Sequence, residues 1–367
     1  MTTPRMTDIP VGGTVEPGLE PVRDAFLEVL ATQPGTGASL AAWHDGRWVV
    51  DLYGGWADAA HSRPWAADTL VMPYSVTKPF AAAAVLLLAE RGVLDLDEPV
   101  QLWWPELRAA TTLREVLAHR TGVVVLDAPA PEEAFYDWEL MCRLLAEQEP
   151  TWAPGTAQGE SALFYGHLLG EVVRRADGRS LGRVLRDEVC GPLGLDFHVG
   201  LGDAELGRVA DLTGFDEEFR RRGEQQPELY RRAIANPPGA RDQEVLNGDR
   251  WRRAEIPAVN GHGTARAVAG LYVALEEGRL LGPAMRDQLL TGRGEEPDLV
   301  IGDTREWGLG VVLDPDGYGM GGVGGSFGWC SRQGGYAMAF LTGHIGDHDR
   351  GDRLENALRR LLGLPPV

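Results

Sequence analysis

Residues 76–91 read as one helix of strong helix formers, Val76-Thr77-Lys78-Pro79-Phe80 followed by Ala81-Ala82-Ala83-Ala84-Val85-Leu86-Leu87-Leu88-Ala89-Glu90-Arg91, and they are nearly apolar all round. A helix without a polar face cannot lie on the surface, so the chain has to pack other layers around it. Gly92 stands where a C-terminal glycine cap belongs. Pro79 is tolerated only within the first turn, whose N–H groups have no intrahelical acceptor. The helix is therefore predicted to begin near Ser75. Its opening turn contains Lys78, the single lysine of a chain whose Lys+Arg total is 35. Arginine-biased coding that spared one lysine is the bland account. The chemical account is that a buried ammonium can be tuned to exchange a proton, whereas a guanidinium cannot. Residues three apart share a helix face, so the Ser75 hydroxyl and the Lys78 amine can meet. Ser75 also stands at the positive end of the helix dipole, where a developing alkoxide is favoured. A Ser-x-x-Lys pair opening a buried helix is the arrangement of a serine nucleophile activated by a desolvated lysine.

The 367 residues exceed a typical domain and imply two lobes or one large α/β unit. A net charge of −19 argues against nucleic acid and anionic membrane surfaces as partners. Three cysteines, Cys142, Cys190 and Cys330, are too few and too scattered for a disulfide framework or a zinc site. No metal or cofactor is implied. The first seventeen residues lack the apolar stretch of a signal peptide, and the longest apolar run is too short to span a bilayer. A cytoplasmic location is the expectation.

Residues 1–18 read as an extended or disordered arm, and 22–31 as an amphipathic helix. Two strands, 37–44 and 47–54, meet at Asp45-Gly46, a strong hairpin signal. Helices are predicted over 112–118, 133–147, 163–176 and 180–189. The charge-rich 211–253 stretch reads as an irregular surface excursion. A helix over 264–277, strands over 307–313, 323–330 and 336–342, and a helix over 354–362 close the chain. Strands at both ends with helices between imply an α+β fold. Its parts would be an arm (1–18), a discontinuous sheet domain (19–74 plus 261–367) and an inserted helical domain (75–260).

At this point the chain resembles the serine β-lactamase and penicillin-binding-protein superfamily, in its class C-like branch and nearest the family VIII carboxylesterases. The resemblance covers roughly 20–345. It is carried in order by Leu52-Tyr53-Gly54-Gly55-Trp56, Ser75-Val76-Thr77-Lys78, Arg91-Gly92-Val93-Leu94-Asp95, Leu117-Ala118-His119-Arg120-Thr121-Gly122, Trp152-Ala153-Pro154-Gly155, Gly191-Pro192-Leu193-Gly194 and Gly321-Gly322-Val323-Gly324-Gly325-Ser326. It implies an antiparallel sheet flanked by helices, Ser75 as nucleophile and Lys78 as its proton partner. It also implies an oxyanion hole from the N–H groups of Ser75 and Val323, with Met320, Gly321 and Gly322 lining the cleft. The family's third motif opens with lysine in β-lactamases. Met320 stands there, which weighs against a β-lactam or cell-wall peptide substrate.

The family's second motif begins with a tyrosine, and in the register 162–171 Glu160 takes its place. Three readings stay open. Glu160 is the general base beside a cationic Lys78, another tyrosine reaches the site (Tyr165 nearest in sequence, then Tyr74 and Tyr318), or the chain binds a ligand without turnover. The expected activity is acyl transfer through Ser75 from a small-molecule ester or amide, as an esterase-like hydrolase. The alternative is a transacylase passing the acyl group to an amine or alcohol. His119, His262, His344 and His348 are read as structural.

Overall fold

A computed structural model describes residues 9–32 and 35–367. Its centre is a nine-stranded antiparallel sheet. In chain order the strands are β1 (Val11–Val15), β2 (Ala38–His44), β3 (Arg47–Gly54), β4 (Phe197–His198), β5 (His262–Gly263), β6 (Glu296–Pro297), β7 (Thr304–Trp307), β8 (Val312–Leu313), β9 (Gly317–Gly321), β10 (Phe327–Ser331) and β11 (Tyr336–Thr342). The large sheet runs β1-β3-β2-β11-β10-β9-β8-β7-β6, and β4 pairs with β5 separately. The β2–β3 hairpin turns at Asp45 and Gly46 with φ of 49° and 78°, the two positive values that a type I′ turn requires.

Strand β11 shows how the layers form. All seven of its residues are buried. Successive side chains alternate between faces. Ala337, Ala339 and Leu341 join the core shared with the Ala265–Glu276 helix. Tyr336, Met338 and Phe340 join a second core with Val22, Phe26, Leu354 and Leu358, from the Glu20–Thr32 and Asp349–Leu361 helices. The apolar helix spans Lys78–Glu90 and is buried from Lys78 to Leu88. It packs against the Tyr165–Asp177 helix and against β9. Gly92 follows it at φ 74°.

Several expectations are corrected. Of the two states expected for the N-terminal arm, extended or disordered, the described part takes the extended one: Val11–Val15 forms the sheet-edge strand β1, paired with β3. Residues 1–8 lie outside the described residues. The 211–253 stretch is not irregular, because it holds four short helices, Glu217–Glu224, Glu228–Ala235, Gln243–Asn247 and Asp249–Arg253. The predicted 307–313 strand is divided between β7 and β8 around Gly308 and Gly310. Strand β9 carries no local strand signal, since three of its five residues are glycine and glycine is poor in strands.

Candidate active site

The buried helix does not begin as an α-helix. Tyr74–Thr77 forms a 3₁₀ turn, and the Lys78 N–H donates to the Ser75 carbonyl. In a 3₁₀ turn, side chains three apart eclipse. This brings Lys78 Nζ to 2.8 Å from Ser75 Oγ. Tyr74, just before, holds φ 50°, a costly conformation for a residue with a Cβ. Pro73 and Tyr74 thus set a sharp bend that presents Ser75 at the floor of a cavity of about 620 Å³.

Glu160 completes the cluster from 85 residues away. Its Oε1 lies 2.9 Å from Lys78 Nζ and accepts from Ser75 Oγ at 3.2 Å. The Lys78 amine also has the carbonyls of Ala162 and Ala258 at 3.1 and 3.3 Å. Every neighbour of Nζ is an acceptor, which fits an ammonium with three donors and leaves a neutral amine short of protons. Lys78 is wholly buried and Glu160 is 5 % exposed. Burial pulls the Lys78 ammonium below its ordinary 10.5, against the opposing pull of Glu160. Burial alone would raise the Glu160 carboxyl. The Lys78 charge, with smaller help from Arg305, overcomes it and holds the carboxyl at about 2. The arrangement is an ion pair with the serine hydroxyl resting on both members.

The segment bearing Glu160 is tied down residue by residue. The Gly159 N–H donates to the His119 carbonyl at 3.0 Å, and the Ser161 N–H donates to His119 Nδ1 at 3.2 Å. Between them the Glu160 N–H donates to Asp298 Oδ2 at 3.0 Å. Asp298 is 1 % exposed and also accepts from the N–H groups of Val300 and Ile301 and from Trp307 Nε1. His119 stacks on Tyr165 and meets the Trp307 ring at a tilt, and burial pushes its pKa down to about 3. It is a neutral acceptor for Ser161. Asp298 is not legible in the sequence, because a lone aspartate 138 residues from its partner leaves no local signal.

On the opposite side, Met320 and Gly321 at the end of β9, then Gly322 and Val323, line the cavity with Ser75. A Cβ at Gly322 would stand 2.0 Å from the Pro73 carbonyl oxygen and 3.5 Å from the Ser75 nitrogen. Only glycine permits this approach, which brings the Gly322–Val323 backbone beside Ser75.

Tyr165 does not reach the cavity. It opens the Tyr165–Asp177 helix, is fully buried, and donates its hydroxyl to the Leu117 carbonyl at 3.2 Å. Tyr318 is likewise engaged elsewhere, donating to Glu276 at 2.9 Å. Tyr74 lines the cavity, with its hydroxyl 3.4 Å from the Ala240 carbonyl. His262 is buried on β5, and His348 sits on the cavity rim. The 211–253 segment, expected on the surface, supplies Phe219, Arg222, Tyr230 and Ile234 from its helices and Arg241 from the turn before Gln243–Asn247 to the cavity wall.

A beta-lactamase family model matches residues 22–361. The chain belongs to the beta-lactamase family. Its relatives place this family member among serine hydrolases. It is 30 % identical over 363 residues to the esterase/beta-lactamase LipL of Mycobacterium tuberculosis, covering 91 % of this chain and 83 % of that protein. A family VIII carboxylesterase crystal structure superposes with a TM-score of 0.85 at 34 % identity, over 96 % of this chain and all of the other. A penicillin-binding-protein homologue from Caulobacter crescentus superposes equally well at 31 % identity, with the same coverage of both chains. Among the described residues, no helix is long and apolar enough to cross a membrane.

Proposed function

We propose that this enzyme transfers acyl groups through Ser75 and acts on small-molecule esters or amides in the manner of an esterase. The observation that carries the reading is the Ser75 hydroxyl at the floor of an open cavity, between an ammonium at 2.8 Å and a carboxylate at 3.2 Å. Ser75 Oγ attacks the carbonyl carbon while its proton passes to Glu160. While the proton is in transfer, the negative charge is shared between Oε1 and Oγ, which lie 2.9 Å and 2.8 Å from Lys78 Nζ; as the Oγ–C bond forms and the carbonyl π bond opens, the charge comes to rest on the former carbonyl oxygen. The ammonium faces both oxygens during the transfer, so a weakly basic carboxylate can serve without facing the full cost of separating charge. The carbonyl oxygen turns toward the N–H groups of Ser75 and Val323. When the tetrahedral adduct collapses, the bond to the leaving group breaks and Glu160 returns the proton to it. Water repeats the cycle on the acyl-Ser75 ester, releasing the acid and restoring the hydroxyl.

Phe219, Tyr230, Ile234, Ile301, Val312 and Met320 make much of the wall apolar, which suits aliphatic or aromatic acyl groups. The test is intact-mass spectrometry after brief incubation with p-nitrophenyl butyrate or a fluorophosphonate. A single adduct on Ser75, absent from Ser75→Ala, is expected. No adduct on Ser75 refutes the acyl-transfer reading. An adduct released by added amine but not by water refutes hydrolysis and leaves transacylation.

A further inference from the structure

Three arginines line the cavity, Arg222 and Arg241 from the 211–253 segment and Arg305 from β7. Their partners differ. Arg305 donates twice to the carboxylate of Asp303, at 2.8 and 2.5 Å. Arg222 has Glu218 at 3.9 Å. Arg241 has no carboxylate partner among the described residues. It makes one long hydrogen bond, 3.4 Å to the Phe219 carbonyl, and lies over the Phe219 ring at 4.3 Å from its centroid. A guanidinium has five N–H donors, so most of its capacity is unspent. Its seat is shaped for it: a Cβ at Gly223 would stand 2.3 Å from both terminal nitrogens. Arg241 is also linked to the turn that carries Ser75. It follows Ala240, whose carbonyl accepts from Tyr74, the residue before Ser75. Burial raises the Tyr74 phenol, and the Arg241 charge opposes that rise.

We propose that Arg241 is an anion-binding residue of the catalytic cavity, and that the substrate is an ester or amide carrying a carboxylate that Arg241 reads. This inference rests on the acyl-transfer reading and narrows its substrate class. A planar guanidinium fork matches a carboxylate with two parallel hydrogen bonds. The rest of the molecule repels anions, with a net charge of −19, and Asp347 and Asp349 stand exposed on another part of the rim. The Arg241 wall is therefore where a negative group can enter. Met320 in place of the third-motif lysine means that any carboxylate must be read elsewhere, and Arg241 provides that place.

The carboxylate can sit on the acyl group or on the leaving group, and two substrate pairs separate these. The first is mono-p-nitrophenyl glutarate against p-nitrophenyl pentanoate. The second is 4-butyryloxybenzoate against phenyl butyrate. The readout is the charged-to-neutral ratio of kcat/KM within one preparation, which cancels differences in the amount of folded enzyme. The wild type is expected to favour the charged member of one pair by about ten- to a hundredfold, the worth of a charge-assisted hydrogen bond. Arg241→Gln collapses that ratio toward one, Arg241→Lys keeps part of it, and the distant Arg332→Gln keeps all of it. No preference in either pair, or a preference that survives Arg241→Gln, overturns the proposal. If neutral esters acylate Ser75 and the charged ones gain nothing, this inference alone fails. If none of the four acylates Ser75, the acyl-transfer reading fails and takes the inference with it.

Discussion

Glu160→Gln is the most informative single change, because stability and catalysis should respond to it differently with pH. Glutamine keeps the shape of Glu160 and removes its charge. Lys78, wholly buried, is left beside neutral acceptors. Stranding a buried charge costs about 3–5 kcal/mol. The protein can limit that cost by releasing the Lys78 proton. With an ordinary lysine value of 10.5, release costs about 1.4 kcal/mol per pH unit below it. The ceiling on the deficit is therefore about 5 kcal/mol at pH 7 and about 2 kcal/mol at pH 9. The sign follows from the missing carboxylate, which favoured the ammonium. Without it the folded-state pKa of Lys78 falls further, the unfolded chain binds more protons, and stability rises with pH. Turnover should fall about 10²–10⁴-fold at pH 7, the usual contribution of a positioned general base. Residual activity should climb with pH, as a neutral Lys78 becomes available to accept the Ser75 proton. Urea unfolding at pH 7 and 9, together with pH–rate profiles on p-nitrophenyl butyrate, measures both quantities. A variant with unchanged turnover and a stability deficit independent of pH would refute the ion-pair account of the site.

Tyr165→Phe should leave kcat within about twofold and cost about 1 kcal/mol of stability, since the lost hydroxyl bonds only to the Leu117 carbonyl; a large loss of kcat in steady-state assays would restore Tyr165 as the proton carrier. Asp298→Asn replaces one acceptor oxygen among four N–H donors, so kcat should drop about tenfold or more with KM little changed, and a shift in KM alone would speak against a role in placing Glu160. Gly322→Ala forces a Cβ against the Pro73 carbonyl; loss of acylation in stopped-flow burst measurements is expected, and normal bursts would show that this backbone approach is dispensable. In the wild type, the folded carboxyl of Glu160 lies below its ordinary value, at about 2. Its stabilising contribution is therefore complete above about pH 4.5 and is lost as pH falls toward 2. Acid titration of unfolding should show that loss in the wild type and not in Glu160→Gln.

Local signals in the sequence were reliable. Asp45-Gly46 specified its turn because few residues tolerate positive φ at both central positions. Phe80 to Leu88 specified a buried helix because no face of it suits water. The Ser75–Lys78 contact was legible because three-residue spacing nearly fixes side-chain direction within one turn. Strand β9 and the 211–253 helices carry no such local signal. Gly317–Gly321 is a strand because β8 and β10 pair with it on both sides. The 211–253 segment looked like solvated loop because its charges concealed a few anchors, Phe219, Ala233 and Leu246, that only neighbouring elements make meaningful.

The sequence by itself determined the Ser75–Lys78 turn, the buried helix and the departure from the family tyrosine at Glu160. Tertiary structure decided what surrounds Glu160. It placed the carboxylate on Lys78, excluded Tyr165, recruited Asp298 and His119 as anchors and set Arg241 over the cavity. The physical reason is range. Backbone geometry carries information across three or four residues, whereas the Ser75–Glu160 and Glu160–Asp298 contacts span 85 and 138 residues. Contacts of that span exist only once the hydrophobic layers have closed and water has been removed from between the charges.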